Sequence, residues 1–354
     1  MKIKILLIGA FFVVFQTSFL EAQSVGQYSF PFINHASSAR IEALGGSAIA
    51  IKDDDVSLAW QNPAMLSEKT SGTIAINHQL FFGGVQHGYA AYAQHIAKIK
   101  MTLHGGIKYV NYGDFAATDE YGTQKGTFSA SEQAIVIGAA KQLSEHYSIG
   151  ANLKYINSQL ETYNANGIGV DLAAMYHNPE QRIAVTLVAQ NIGSQLGTYA
   201  NGQSRRSLPS DIQLGLTKRL KHLPFRFGIT YQSLQKWNIR YDNPNQVAEE
   251  TLLGQTESGP TKAQIFTDNL MRHFVFNGEF LLNKSENLRF RFGYNHRRKK
   301  ELAVENFRSF GGFSLGFGLK VNRFRIDYAR SLYHLAGAAN FFSISTNIKD
   351  FKKK

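Results

Sequence analysis

Eleven histidines, three consecutive acids and two basic clusters are the residues of this 354-residue chain whose types and spacing could do chemistry. His78, His87, His95 and His104 recur at intervals of eight or nine. That is the repeat of successive strands in a meander, and no two of them have a ligand-pair spacing with a carboxylate in the same strand. No metal site is expected. Asp53, Asp54 and Asp55 are consecutive, whereas a calcium loop alternates its ligands and closes on a distal Glu; here the next is Glu68. They read as a charged loop facing a polar interior. No G-x-S-x-G elbow occurs, and no Ser/His/Asp roles can be assigned around hydroxyls such as Ser285. With no cysteine, a thiol nucleophile, a Cys-ligated metal and a disulfide scaffold are all excluded. The expectation is a non-enzymatic protein without a cofactor.

The charge balance is basic, with 38 Lys+Arg against 26 Asp+Glu. Two clusters stand out, Arg205 with Arg206, and Arg297, Arg298, Lys299 and Lys300. Arginine holds phosphate oxygens bidentately, so loops rich in it suit a phosphorylated partner. Export, argued next, removes nucleic acid from the choice and leaves the phosphates of lipopolysaccharide. The alternative is an ordinary solvated charge run.

The elements that must position these residues are strands. Residues 1–22 carry Lys2 and Lys4, an apolar run from Ile5 to Phe15 and a small Ala22, the pattern of a secretory signal peptide with a mature start at Gln23. From about residue 71 to 351, apolar and polar residues alternate. Phe225, Phe227 and Ile229 alternate with Arg226, Gly228 and Thr230; Leu288, Phe290 and Phe292 alternate with Arg289, Arg291 and Gly293. Period two gives each strand one wet and one apolar face. Segments of about 10 residues or more match strands that span a bilayer, which need ~9–11, better than soluble strands of ~5–6. About fourteen such segments can be placed, with tight connections such as 97–99, 144–145 and Asn322 alternating with longer ones at 113–126, 192–207, 234–270, 298–310 and 333–339. Short turns on one end and long loops on the other mark a transmembrane antiparallel β-barrel of the bacterial outer membrane. Its lumen would then carry Lys108, Lys154, Asp171, Arg226, Glu279, Arg289, Arg291 and Lys320. Such charge reads as a plugged, salt-bridged interior, against the passage of a fatty acid.

Residues 23–70 are too irregular to span and read as a hatch in the lumen or a periplasmic arm. Gly45 and Gly46 permit close backbone approach, and Asn62-Pro63 is a turn signal. Asp53–Asp55 are the nearest surplus of negative charge for the inward arginines, so they are expected to pair with them; the alternative leaves them solvated at the periplasmic mouth.

The stretch with Ser38, Ala39 and Arg40, then Gly45 and Gly46, Asp53–Asp55 with Val56, and Trp60, Gln61, Asn62, Pro63 and Ala64 resembles the N-terminal hatch of the PorV/PorQ family, on its PorQ side. The motif covers about a tenth of the chain. The resemblance implies a FadL-like barrel serving type IX secretion without catalysis. It would anchor a surface protein of the PorZ type, with PorU- and PorV-like proteins, in a complex that attaches cargo to lipopolysaccharide. The competing function is a FadL-like transporter of hydrophobic small molecules.

Overall fold

The computed structural model describes residues 28–240, 261–283, 285–302, 310–334 and 337–351. The expected signal peptide and the start at Gln23 lie outside the described residues. Among the described residues fourteen strands run β1 (Thr73–Leu80), β2 (Gln86–Ile96), β3 (Met101–Thr118), β4 (Gln124–Gln142), β5 (Tyr147–Leu160), β6 (Tyr163–Asn178) and β7 (Ile183–Gly197). They continue as β8 (Asp211–Arg219), β9 (Phe225–Tyr231), β10 (Phe274–Leu282), β11 (Leu288–Asn295), β12 (Phe313–Val321), β13 (Phe324–His334) and β14 (Gly337–Asn347). Each pairs with its sequence neighbours, and β1 closes antiparallel on β14, with Thr73 opposite Asn347. The fold is a closed antiparallel barrel with no free edge.

The faces are those of a membrane barrel. In β5, Ile149, Leu153 and Tyr155 are 44–50% exposed on the outside, while Ser148, Asn152 and Lys154 are 1–2% exposed within. Polar residues inside and apolar residues outside is the inverse of a soluble barrel and what a lipid-facing wall demands.

Two expected loops need correction. β3 runs on to Thr118 and β4 begins at Gln124, so most of 113–126 is strand with a five-residue turn. β13 and β14 meet across residues 335–336, so no long connection lies there. The upper part of β3 is mostly exposed on both faces. A strand that has left the lipid band needs no apolar face, so its alternation fades.

Residues 28–72 fill the barrel. Phe32, Ile41, Leu44, Ala59, Trp60 and Met65 are all buried to 2% exposure or less. Ser38 starts the short helix Ala39–Ala43, its hydroxyl accepting from the Ile41 N–H. That helix packs on β11–β14, whereas the turn Pro63–Met65 packs on β4–β6 and Val56–Trp60 on β1 and β2. The segment therefore crosses the lumen from wall to wall. Gly45 and Gly46 take φ of +85° and +87°, a region that costs other residues, and a side chain at Gly293 of β11 would run into the Gly45 backbone.

Candidate functional site

The plug meets the wall through charge. Arg40 is 1% exposed, and its guanidinium lies 2.5 Å from Asp53, 3.2 Å from Asp55 and 3.3 Å from Glu279 of β10. Glu279 also binds Arg226 of β9 and, at 2.7 Å, Arg291 of β11. Arg291 passes the chain on to Asp327 of β13. Asp53 reaches Arg226 at 3.7 Å and Arg289 at 3.9 Å, and Asp54 pairs with Arg325 at 2.9 Å. Five arginines thus face five carboxylates. Burial alone would raise the Asp53 carboxyl, but Arg40, Arg226 and Arg289 together hold it well below the usual range. Such a network holds parts in place more than it does chemistry.

The sequence-derived residues divide cleanly by position. The structure brings Arg40, Asp53, Asp54, Asp55, Arg226, Glu279, Arg289 and Arg291 together. Asn62 instead builds the local turn, accepting from the Ala64 N–H and donating to the Ile49 carbonyl. Pro63 opens that turn. Trp60 donates to the Ile33 carbonyl at 3.0 Å, and the Lys108 and Lys154 side-chain nitrogens lie 4.4 and 4.5 Å from its ring. Lys154 is in turn paired with Asp171 at 2.8 Å.

The basic clusters come out differently. Arg298 is not available to an outer-leaflet phosphate: it turns inward onto Glu42 of the plug and stacks over Tyr333, whose hydroxyl donates to the same carboxylate at 3.0 Å. Its neighbours form the helix His296–Glu301, where Arg297 pairs with Glu301 and Lys300 with Asp268, while Lys299 is exposed. Arg205 and Arg206 lie exposed in the β7–β8 connection. The sequence reading missed Arg325, Asp327 and Glu42. The first two carried a signal, alternating with outward Phe324, Ile326 and Tyr328; Glu42 carried none.

Above the plug, at the long-loop mouth, lies a cavity of about 960 Å³. Phe30, Tyr112, Phe115, Phe128, Leu160 and Tyr199 contribute to its walls, with Glu132, Gln195 and Arg206 among the polar groups. The Tyr112 hydroxyl donates to Glu132 at 2.5 Å and that of Tyr199 to Ser158 at 2.7 Å. Phe30 joins the plug to this cavity from a left-handed backbone conformation, φ +55°. Among the described residues no cluster of His, Asp and Glu could hold a metal ion.

The barrel resembles solved channel structures. The TodX monoaromatic hydrocarbon channel, as a mutant named deltaS2, aligns with a TM-score of 0.50 at 12% identity over 89% of this chain and 99% of that one. The CymD monoaromatic hydrocarbon channel aligns at 0.53 and 12% over 90% and 99%. A Pseudomonas aeruginosa FadL homologue aligns at 0.47 and 10% over 87% and 97%. No protein-family model and no curated protein matches the chain. The first two likenesses show the fold that this chain shares with those channels, a closed β-barrel of the membrane-spanning kind.

Proposed function

We propose that the chain is a non-enzymatic outer-membrane barrel that takes a small hydrophobic molecule at its long-loop mouth. The observation that carries this reading is the cavity of about 960 Å³ with aromatic walls and a few placed polar groups, the composition of a ligand site. The hydrocarbon channels that share the fold support it. Its test is saturable binding of toluene and of a fluorescent fatty acid to the purified barrel, each weakened by Phe30→Ala and Tyr199→Ala. Absence of saturable binding by either ligand rejects the reading.

A second reading is favoured by the plug itself. A lumen crossed by ten paired charges suits a fixed scaffold better than a conduit, because moving the plug would strip buried charges of their partners. Together with the hatch motif, this supports the type IX secretion role, in which the barrel anchors a PorZ-type surface protein beside PorU- and PorV-like proteins at lipopolysaccharide. A pulldown from solubilised outer membrane that recovers such a partner, with no hydrophobic ligand bound, would select this reading over the first.

A further inference from the structure

The opposite, short-turn mouth carries a charge arrangement that neither reading uses. Lys320 of β12 and Arg325 of β13 stand directly opposite each other in the antiparallel pair. Their strand neighbours Leu319, Val321, Phe324 and Ile326 are 41–47% exposed on the outside, so both cations share the inward face. Like charges directly opposite on a strand pair repel. Arg325 has Asp54 at 2.9 Å, but among the described residues no carboxylate lies within ion-pair distance of Lys320. Arg323, in the turn between the two strands, holds its guanidinium 4.9 Å above the Phe351 ring, and Lys69 enters from the end of the plug. These four cations and the acids Asp54 and Asp350 line a polar, half-open cavity of about 140 Å³. Hydroxyls of Thr73, Ser345 and Thr346 and the Asn347 amide complete its wall.

We propose that this cavity is a phosphate-binding pocket at the periplasmic mouth. Four cations against two acids leave a surplus that one phosphate would neutralise. Arginine and lysine supply charge-assisted donors to its oxygens, and the Thr73 and Ser345 hydroxyls supply neutral ones, the Thr346 hydroxyl being donated to the Arg323 carbonyl. The space, a few times the ~30 Å³ share of one water, has room for a phosphate group, and its open side leaves the rest of a ligand in solvent. The ligand is therefore recognised by its phosphate, which a soluble phosphate ester and an inner-leaflet phospholipid headgroup have in common. Asp54 belongs both to the pocket wall and to the plug, so occupancy of the pocket is felt where the plug is tied to β13.

The test is a calorimetric titration of the full-length barrel with inorganic phosphate, in micelles of a phosphate-free maltoside detergent, with ionic strength held constant by chloride. Lys320→Gln combined with Arg323→Gln should weaken binding about tenfold, the loss of charged hydrogen bonds. Asp54→Asn removes a like charge from the wall and should tighten binding about threefold by the same Coulombic argument. Resistance of the plug to trypsin reports that each variant is folded. If chloride competes as well as phosphate does, or the double variant binds phosphate like wild type, the pocket is not a phosphate site. Nanodiscs containing phosphatidylglycerol separate the sources. Lowered phosphate affinity there assigns the pocket to a lipid headgroup, and unchanged affinity assigns it to a soluble ester.

Discussion

Arg40 of the plug and Glu279 of β10, 239 residues apart, lie within 3.3 Å of each other, each about 1% exposed. Neither charge could be left alone in that setting. Removing one partner of a buried pair strands the other, at a cost of about 3–5 kcal/mol. Glu279→Gln should therefore destabilise the barrel strongly, because Arg40, Arg226 and Arg291 all lose a carboxylate. Thermal unfolding in detergent measures the loss, and trypsin cleavage after Lys52 should speed up in parallel. Wild-type behaviour in both assays would mean that packing alone holds the plug.

A second prediction compares two glycines with similar backbone angles. Gly46 and Gly83 have φ of +87° and +70°, so an alanine at either pays the left-handed cost of about 1–2 kcal/mol. At Gly83 the new Cβ meets open space, but at Gly46 it runs into the Arg298 guanidinium that holds Glu42. Gly46→Ala should cost about 2 kcal/mol more than Gly83→Ala, the value of a hydrogen bond to a charged group. Paired thermal melts measure that difference.

Acid should loosen the plug before it unfolds the wall. The His35 ring is stacked on His87, their Nδ1 atoms 3.1 Å apart. Burial, followed by His87, Lys108 and Arg298, lowers the His35 pKa well below 6.5. The folded state therefore refuses a proton that the unfolded chain accepts. Its contribution to stability is complete above pH 6.5 and declines as pH falls from there towards the folded value. The Asp53 carboxyl, also held low, loses its contribution only as pH falls below the ordinary carboxylate range. Between pH 7 and 5, protease protection of residues 28–72 should fall, and His35→Gln should flatten that slope. A slope unchanged in the variant assigns the effect to another group.

The sequence made the wall legible because lipid and lumen impose opposite surfaces on alternate residues. Phe225 and Arg226 can be told apart by position alone. The same rule placed Arg226, Arg289 and Arg291 inside, and it reaches Arg325 and Asp327 when extended to β13. It failed above the lipid band, where Asp114 to Thr118 remain strand without an apolar side. It could not reach Glu42 and Arg298 either. Their pairing across 256 residues depends on where the helix Ala39–Ala43 crosses the lumen, which no local spacing encodes. The partners of Arg40 were hidden for the same reason, although the residue itself sits in the hatch motif.

The membrane assignment can be isolated by comparing two residues that look alike in water. Ile137 of β4 is 66% exposed on the outer wall and Leu223 is 60% exposed in the short turn between β8 and β9. Ile137 lies opposite Gly105 of β3 and Leu153 of β5, in the part of the wall where outward residues are apolar. Leu223 lies beyond the strand ends, next to His222 and Lys221. In a soluble protein, arginine at either position would be a mild surface change. In a bilayer the positions differ, because a lipid-facing arginine costs about 2–4 kcal/mol at the midplane and about 0–1 near the interface. Ile137→Arg should therefore depress folding into phospholipid vesicles, read by the heat-dependent gel shift of the folded barrel. Leu223→Arg should fold like wild type. Because neither side chain touches the plug, the comparison is independent of the ion network. Equal folding of the two variants would mean that Ile137 does not face lipid, and would overturn the inside-out reading of the wall.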